Sequence, residues 1–149
     1  MRFWDSIRIG ASGLLAQRLR LDVIANNIAN AQTTRTAEGG AYKRQDVIFT
    51  AQQQGVSTQD YLPAALRDNQ TPLPGGVNVS SIFTDDTPGA TVYDPTHPDA
   101  DAQGFVTYPN VNPVVEMTNM LSATRSYEAN LATIEAAKRM ALKALDIGR

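Results

Sequence analysis

His97, the only histidine, sits in an acidic turn with Asp94, Asp99 and Asp101, and chemistry would be sought there first. Asp99, Asp101, Gln103 and Gly104 occupy positions one, three, five and six of a calcium loop of the EF-hand type. Position twelve of that loop requires a bidentate glutamate, and Asn110 stands there instead. Pro98 and a strand-like run after Gly104 replace the flanking helices. One histidine among turn residues is also poor material for a transition-metal site. The same aspartates are well suited to capping backbone N–H groups in a proline-braced turn, which is the role expected of them. The chain has no cysteine, so disulfides, thiolate metal sites and cysteine nucleophiles are all excluded. Neither a Gly-rich phosphate loop nor a nucleophile elbow is present. No enzyme activity, cofactor, metal or small-molecule substrate is expected.

A second unusual cluster is amide-rich. Asn26, Asn27 and Asn30 fall within Val23–Thr34, where a helix is expected although asparagine is a weak helix former. Asn26 and Asn30, four residues apart, share a face. The run can be a helix end fraying into a turn at Thr33 and Thr34. Alternatively, its amides bridge to neighbouring backbones and fix register, as a seam asparagine does in a coiled coil.

Two long helices must position these groups. The first is expected from about Asp5 to Gln32, with Ile7, Leu14, Leu21 and Ile28 at a strict spacing of seven. Ala11, Ile24, Ala25 and Ala31 fill adjacent half-heptad positions, and Arg18 interrupts them. Such a repeat fits either a helix supercoiled on partners or an ordinary amphipathic helix on a core. For the last helix, Asn112 is a suitable N-cap and Pro113 a suitable first residue. Met117, Met120, Leu121, Thr124, Tyr127, Leu131, Ile134, Ala141, Leu142 and Leu145 follow at three-four spacing, Lys138 takes one seam position, and Gly148 is the stop. Alanines on several further faces would let other helices approach closely.

Between the helices, proline and glycine punctuate short alternating runs at 45–50, 77–84, 90–93 and 104–108, which are expected to be antiparallel strands. Residues 51–76 are expected to form a long loop. The fold class is therefore mainly α with a small β-rich middle (α+β). The expected division is a helix over 1–32, a turn-rich middle over 33–112 and a helix over 113–149.

The net charge of the 149 residues is -2, but the middle carries nine acidic against four basic residues, while both ends are mildly basic. No concentrated basic face exists, which argues against nucleic-acid binding. No apolar run reaches the roughly 18 residues a membrane span needs. Asp5 and Arg8 interrupt any secretory h-region, so a cleaved signal peptide is not expected.

A hairpin of two helices about 40–50 Å long buries only one side of each, leaving flanks such as Val114, Met140 and Ile147 without a partner. Intermolecular burial is the natural solution. The residues expected to carry it are Ile7, Leu14, Leu21, Ile24, Asn26, Asn27, Ile28 and Asn30 on the first helix. On the last they are Met117, Met120, Leu121, Tyr127, Leu131, Ile134, Leu142 and Leu145. In the isolated chain both ends are expected to be largely disordered or fraying, because no internal partner buries the outer stripes.

The run Ala25–Ala31 resembles the amino-terminal signature of flagellar rod and hook proteins. Residues 33–45, 92–101 and 104–112 resemble the proximal-rod C subfamily of basal-body rod proteins, and Ser122–Asn130 matches as well. The likeness spans nearly the whole chain, apart from 51–76. Gln32 departs mildly, standing where a smaller polar residue is usual. The resemblance implies a structural subunit whose terminal helices pair as a coiled coil lining a tubular drive shaft, with the middle facing outward. It implies torque transmission, an open export lumen, and export through the flagellar type III apparatus to a periplasmic rod. Implied partners are copies of itself in a helical or ring-like array, other rod proteins, and membrane-ring or export-gate components. The alternative is a non-catalytic helical-hairpin adaptor for one protein partner.

Overall fold

The computed structural model describes residues 3–53 and 74–147. Helix α1 spans Phe3–Ala29 and helix α2 spans Pro113–Ile147. Between them lie strands β1 (Gln45–Gln53), β2 (Pro74–Thr84), β3 (Thr91–Tyr93) and β4 (Phe105–Thr107). The architecture is the expected α+β one. The start of α2 follows from its sequence: the Asn112 side-chain oxygen accepts from Val114 N–H at 3.0 Å and Val115 N–H at 3.4 Å. Helix α1 stops at Ala29, before the expected Gln32. Asn30, Ala31 and Thr33 continue instead as turns bonded to Asn26, Ile28 and Asn30 carbonyls.

The middle forms two separate two-stranded antiparallel sheets. Strands β1 and β2 make a ribbon with a bulge after Ile48, where Ile48 pairs Ser81 but Phe49 pairs Val79. Pairing reaches Gln53 and Pro74, so the ribbon extends into both ends of the stretch expected as loop. Pro74 is tolerated because it is the first residue of its strand. The remainder of that expected loop, 54–73, lies outside the described residues, as does Gly148. Strands β3 and β4 form a short hairpin on which Tyr93 meets Phe105 edge-on, with ring centroids 5.3 Å apart.

The helices run antiparallel. A Cβ on Gly10 would lie 2.7 Å from Ile134 Cγ1, and one on Gly13 would lie 2.8 Å from Asn130 Nδ2, while Asn27 bonds Glu116. Glycine lets the two backbones approach there. Among the described residues, the buried apolar set is Ala16, Val23, Ile24, Val106, Ala123 and Ala137. Such small side chains make a thin core.

Candidate assembly interface

On α2 the buried and half-buried residues include Glu116, Met120, Ala123, Tyr127, Asn130, Ile134, Ala137 and Ala141. These alternate four and three apart, which is the seam of a helix paired along its length. The seam reaches α1 at Gly10, Gly13 and Asn27. One position further on, Met117, Leu121, Leu131, Leu142 and Leu145 form a second three-four row that is exposed, Leu121 at 63 % and Leu145 at 71 %. The single stripe read from the sequence thus divides in two. Met120, Tyr127 and Ile134 belong to the pairing within the chain, whereas the other five point outward. Glu128, Glu135 and Lys138 are also exposed in the outer row.

The same displacement holds on α1. Ile24 and Asn27 are buried, whereas Ile7, Leu14, Leu21 and Ile28, one position beyond the α1–α2 contact row, are half-buried. Advancing one residue turns about 100° around a helix. Because the helices are antiparallel, that step turns both outer rows toward the same side of the pair. The opposite side of α1 meets the ribbon, where Ser12 Oγ accepts from Val77 N–H at 3.1 Å. Gly76, at φ +126°, passes so close that a Cβ would overlap the Ser12 hydroxyl. Among the described residues, the hairpin therefore has one side occupied by the ribbon and one apolar side bare.

The three asparagines separate by role. Asn30 Nδ2 donates to Asn26 Oδ1 at 2.8 Å on the surface. Asn27 is completely buried. Its Nδ2 donates to Gln45 O at 2.7 Å and Glu116 Oε2 at 3.2 Å; its Oδ1 accepts from Gln45 N–H at 3.0 Å and Tyr42 O–H at 2.9 Å. Asn27 bridges to neighbouring backbone, as one sequence reading had it, but within its own chain. Glu116, 1 % exposed, also accepts from Arg44 Nε at 2.9 Å and Asn119 Nδ2 at 3.4 Å. A buried carboxylate persists only with such pairing. Burial works against the Arg44 charge, but bonding and attraction to Glu116 and then Asp46 outweigh it and hold its pKa above the ordinary value. Burial, followed by repulsion from Glu116, raises the Tyr42 phenol. Of these residues, only Asn27 stood out in the sequence. Glu116 and Arg44 look like surface charges until the fold brings them together.

The acidic turn does what aspartates do in turns. Asp101 Oδ1 accepts from the Gln103 and Phe105 N–H groups, each at 2.9 Å, and Asp94 Oδ1 from the Thr96 N–H and hydroxyl. The Thr96 hydroxyl and N–H do most to lower the Asp94 pKa, with His97 adding to them. Asp99 accepts from the Thr34 hydroxyl at 2.7 Å, and His97 Nδ1 accepts from Asp99 N–H at 3.1 Å. No group of three or more potential metal ligands occurs among the described residues. Nor is any helix among them long and apolar enough to cross a membrane.

Two terminal helices in one antiparallel pair, with an apolar side left bare, describe a part made to pack with others. Comparison with known proteins agrees. Residues 7–35 match the family model described as flagella basal body rod protein, and residues 102–147 match the flagellar basal body rod FlgEFG protein C-terminal model. The chain is 44 % identical to the flagellar basal-body rod protein FlgC of Borreliella burgdorferi, over 99 % of this chain and 98 % of that protein. The chain belongs to the FlgC family. Identity to FlgC of Bacillus subtilis is 42 % with both chains covered completely. Identity to FlgC of Salmonella typhimurium is 38 % over 95 % of this chain and 94 % of that one. Membership in the FlgC family makes the chain a structural rod subunit rather than an enzyme. It matches two separate rod models, one at each helical end, which are the elements that form the pair.

Proposed function

We propose that this FlgC-family subunit builds the proximal rod by packing the bare side of its α1–α2 pair against neighbouring subunits. The observation that carries this reading is the pair of outer rows turned to the side opposite the ribbon. Met117, Leu121, Leu131, Leu142 and Leu145 expose large apolar side chains at both ends and the middle of α2, with Glu128, Glu135 and Lys138 between them in the same row. A face of that kind is costly in water unless it is covered. Ile7, Leu14, Leu21 and Ile28 widen it on α1. The helix pairs would then line a tube, with the β-rich middle turned outward, transmitting torque along the wall and leaving a lumen for export. Neighbours in this arrangement are copies of the chain, other rod proteins, and ring or export-gate components at the rod base. Placement in the periplasm through the flagellar type III route belongs to the same proposal.

Mass spectrometry of hook–basal bodies purified from the source cell tests it. The expected result is this chain, uncleaved at its amino terminus and in fixed ratio to other rod proteins. Recovery only from the soluble cytoplasm would favour an adaptor that binds one partner through the same face.

A further inference from the structure

We infer that Asn27, Glu116 and Arg44 form the joint that fixes how the β1–β2 ribbon is carried on the helix pair, a positioning role separate from subunit packing. The geometry is specific. Asp85 N–H donates to Arg44 O at 2.8 Å, and Gln45 stands opposite Thr84 in the ribbon. In an antiparallel ladder the next residue's groups alternate to the other edge. Gln45 therefore turns its N–H and C=O away from β2, and the Asn27 amide takes both, acting as a short strand against the open edge. The same amide nitrogen reaches Glu116 on α2, and Glu116 reaches back to Arg44, the residue just before β1. One closed circuit thus links α1, α2 and the start of the ribbon. The Ser12–Val77 bond also ties the ribbon to α1, at the far end of both.

The circuit also fixes donor and acceptor identities. Asn27 must donate toward Glu116 and Gln45 O while accepting from Gln45 N–H and Tyr42. Asn27→Asp keeps the shape but opposes two carboxylates in a buried site and removes the donor to Gln45 O. Adding Glu116→Gln restores a donor–acceptor contact between the two positions with the roles exchanged, and the amide oxygen then present at position 116 can still accept from Arg44.

The test uses the full chain, which has no native cysteine to confuse labelling. Spin labels at Ser81→Cys and Ser122→Cys report ribbon against helix, and labels at Asp22→Cys and Ser122→Cys report helix against helix. In Asn27→Asp the ribbon–helix distance distribution is expected to widen about twofold, as in local opening, while the helix–helix distribution stays narrow. In the Asn27→Asp/Glu116→Gln double variant the ribbon–helix distribution should narrow only in part, because position 27 still has no donor for Gln45 O. Distributions unchanged in Asn27→Asp would overturn the inference. So would equal widening of both distances, or loss of the fold, because the cluster would then be ordinary core. No narrowing at all on adding the second substitution would also count against it.

Discussion

At the scale of single residues, the molecule depends on positions where almost nothing fits except the residue present. Gly10 lies against Ile134, and Gly13 against Asn130. Gly10→Val must push Ile134 aside, at a cost of about 1–3 kcal/mol for overpacking. Its urea midpoint is expected to fall; an unchanged midpoint would mean that the helices do not approach closely at that level. Tyr42 gives a pH signature. Its folded pKa is raised above the ordinary 10.0 by burial and then by Glu116. The neutral phenol is thus favoured in the fold, so its contribution is intact below the unfolded value. It is lost as pH rises through the folded one. Stability followed by circular dichroism above pH 10 should fall more steeply in the natural chain than in Tyr42→Phe. The variant should in turn be less stable at neutral pH, by about 1 kcal/mol for the lost hydrogen bond.

At the scale of elements, α2 carries two rows that differ by one residue, and substitutions should separate them. Leu121→Asp lies in the exposed row and should change monomer stability by no more than about 0.5 kcal/mol while preventing rod assembly. Ile134→Asp falls on the pairing with α1 and should lower monomer stability by about 1–3 kcal/mol, so any assembly defect there follows from the fold. Chemical denaturation beside a motility assay distinguishes them. The elements themselves were legible because their signals are local: the Asn112–Pro113 start, the periodic runs and the short alternating strands. The division of α2 was not, because Met117 and Met120 look equally apolar in sequence. Three and four are both helical spacings, and only the position of α1 decides between adjacent rows. The alanines at 123 and 137 were visible, yet they looked like diffuse small residues rather than the centre of a seam. The joint was hidden for a related reason, since Arg44 and Glu116 lie far apart in sequence and a charged residue gives no local sign of burial.

At the scale of the whole molecule, a thin core and a bare apolar side go together. Among the described residues, the buried apolar ones are mostly alanine and valine, with one isoleucine, so the helix pair has little to hold it closed in isolation. Limited proteolysis of the isolated chain should cut within residues 1–30 and 115–149 first, and incorporation into the rod should protect both. The central claim is that α2 pairs with α1 through one row and with a neighbouring subunit through the next. Site-specific photo-crosslinking in assembled basal bodies tests it most directly, with the reactive side chain placed at Leu121 or at Met120. Links to a second chain are expected from position 121 and links within the same chain from position 120. Links between chains from 120 and none from 121 would contradict it.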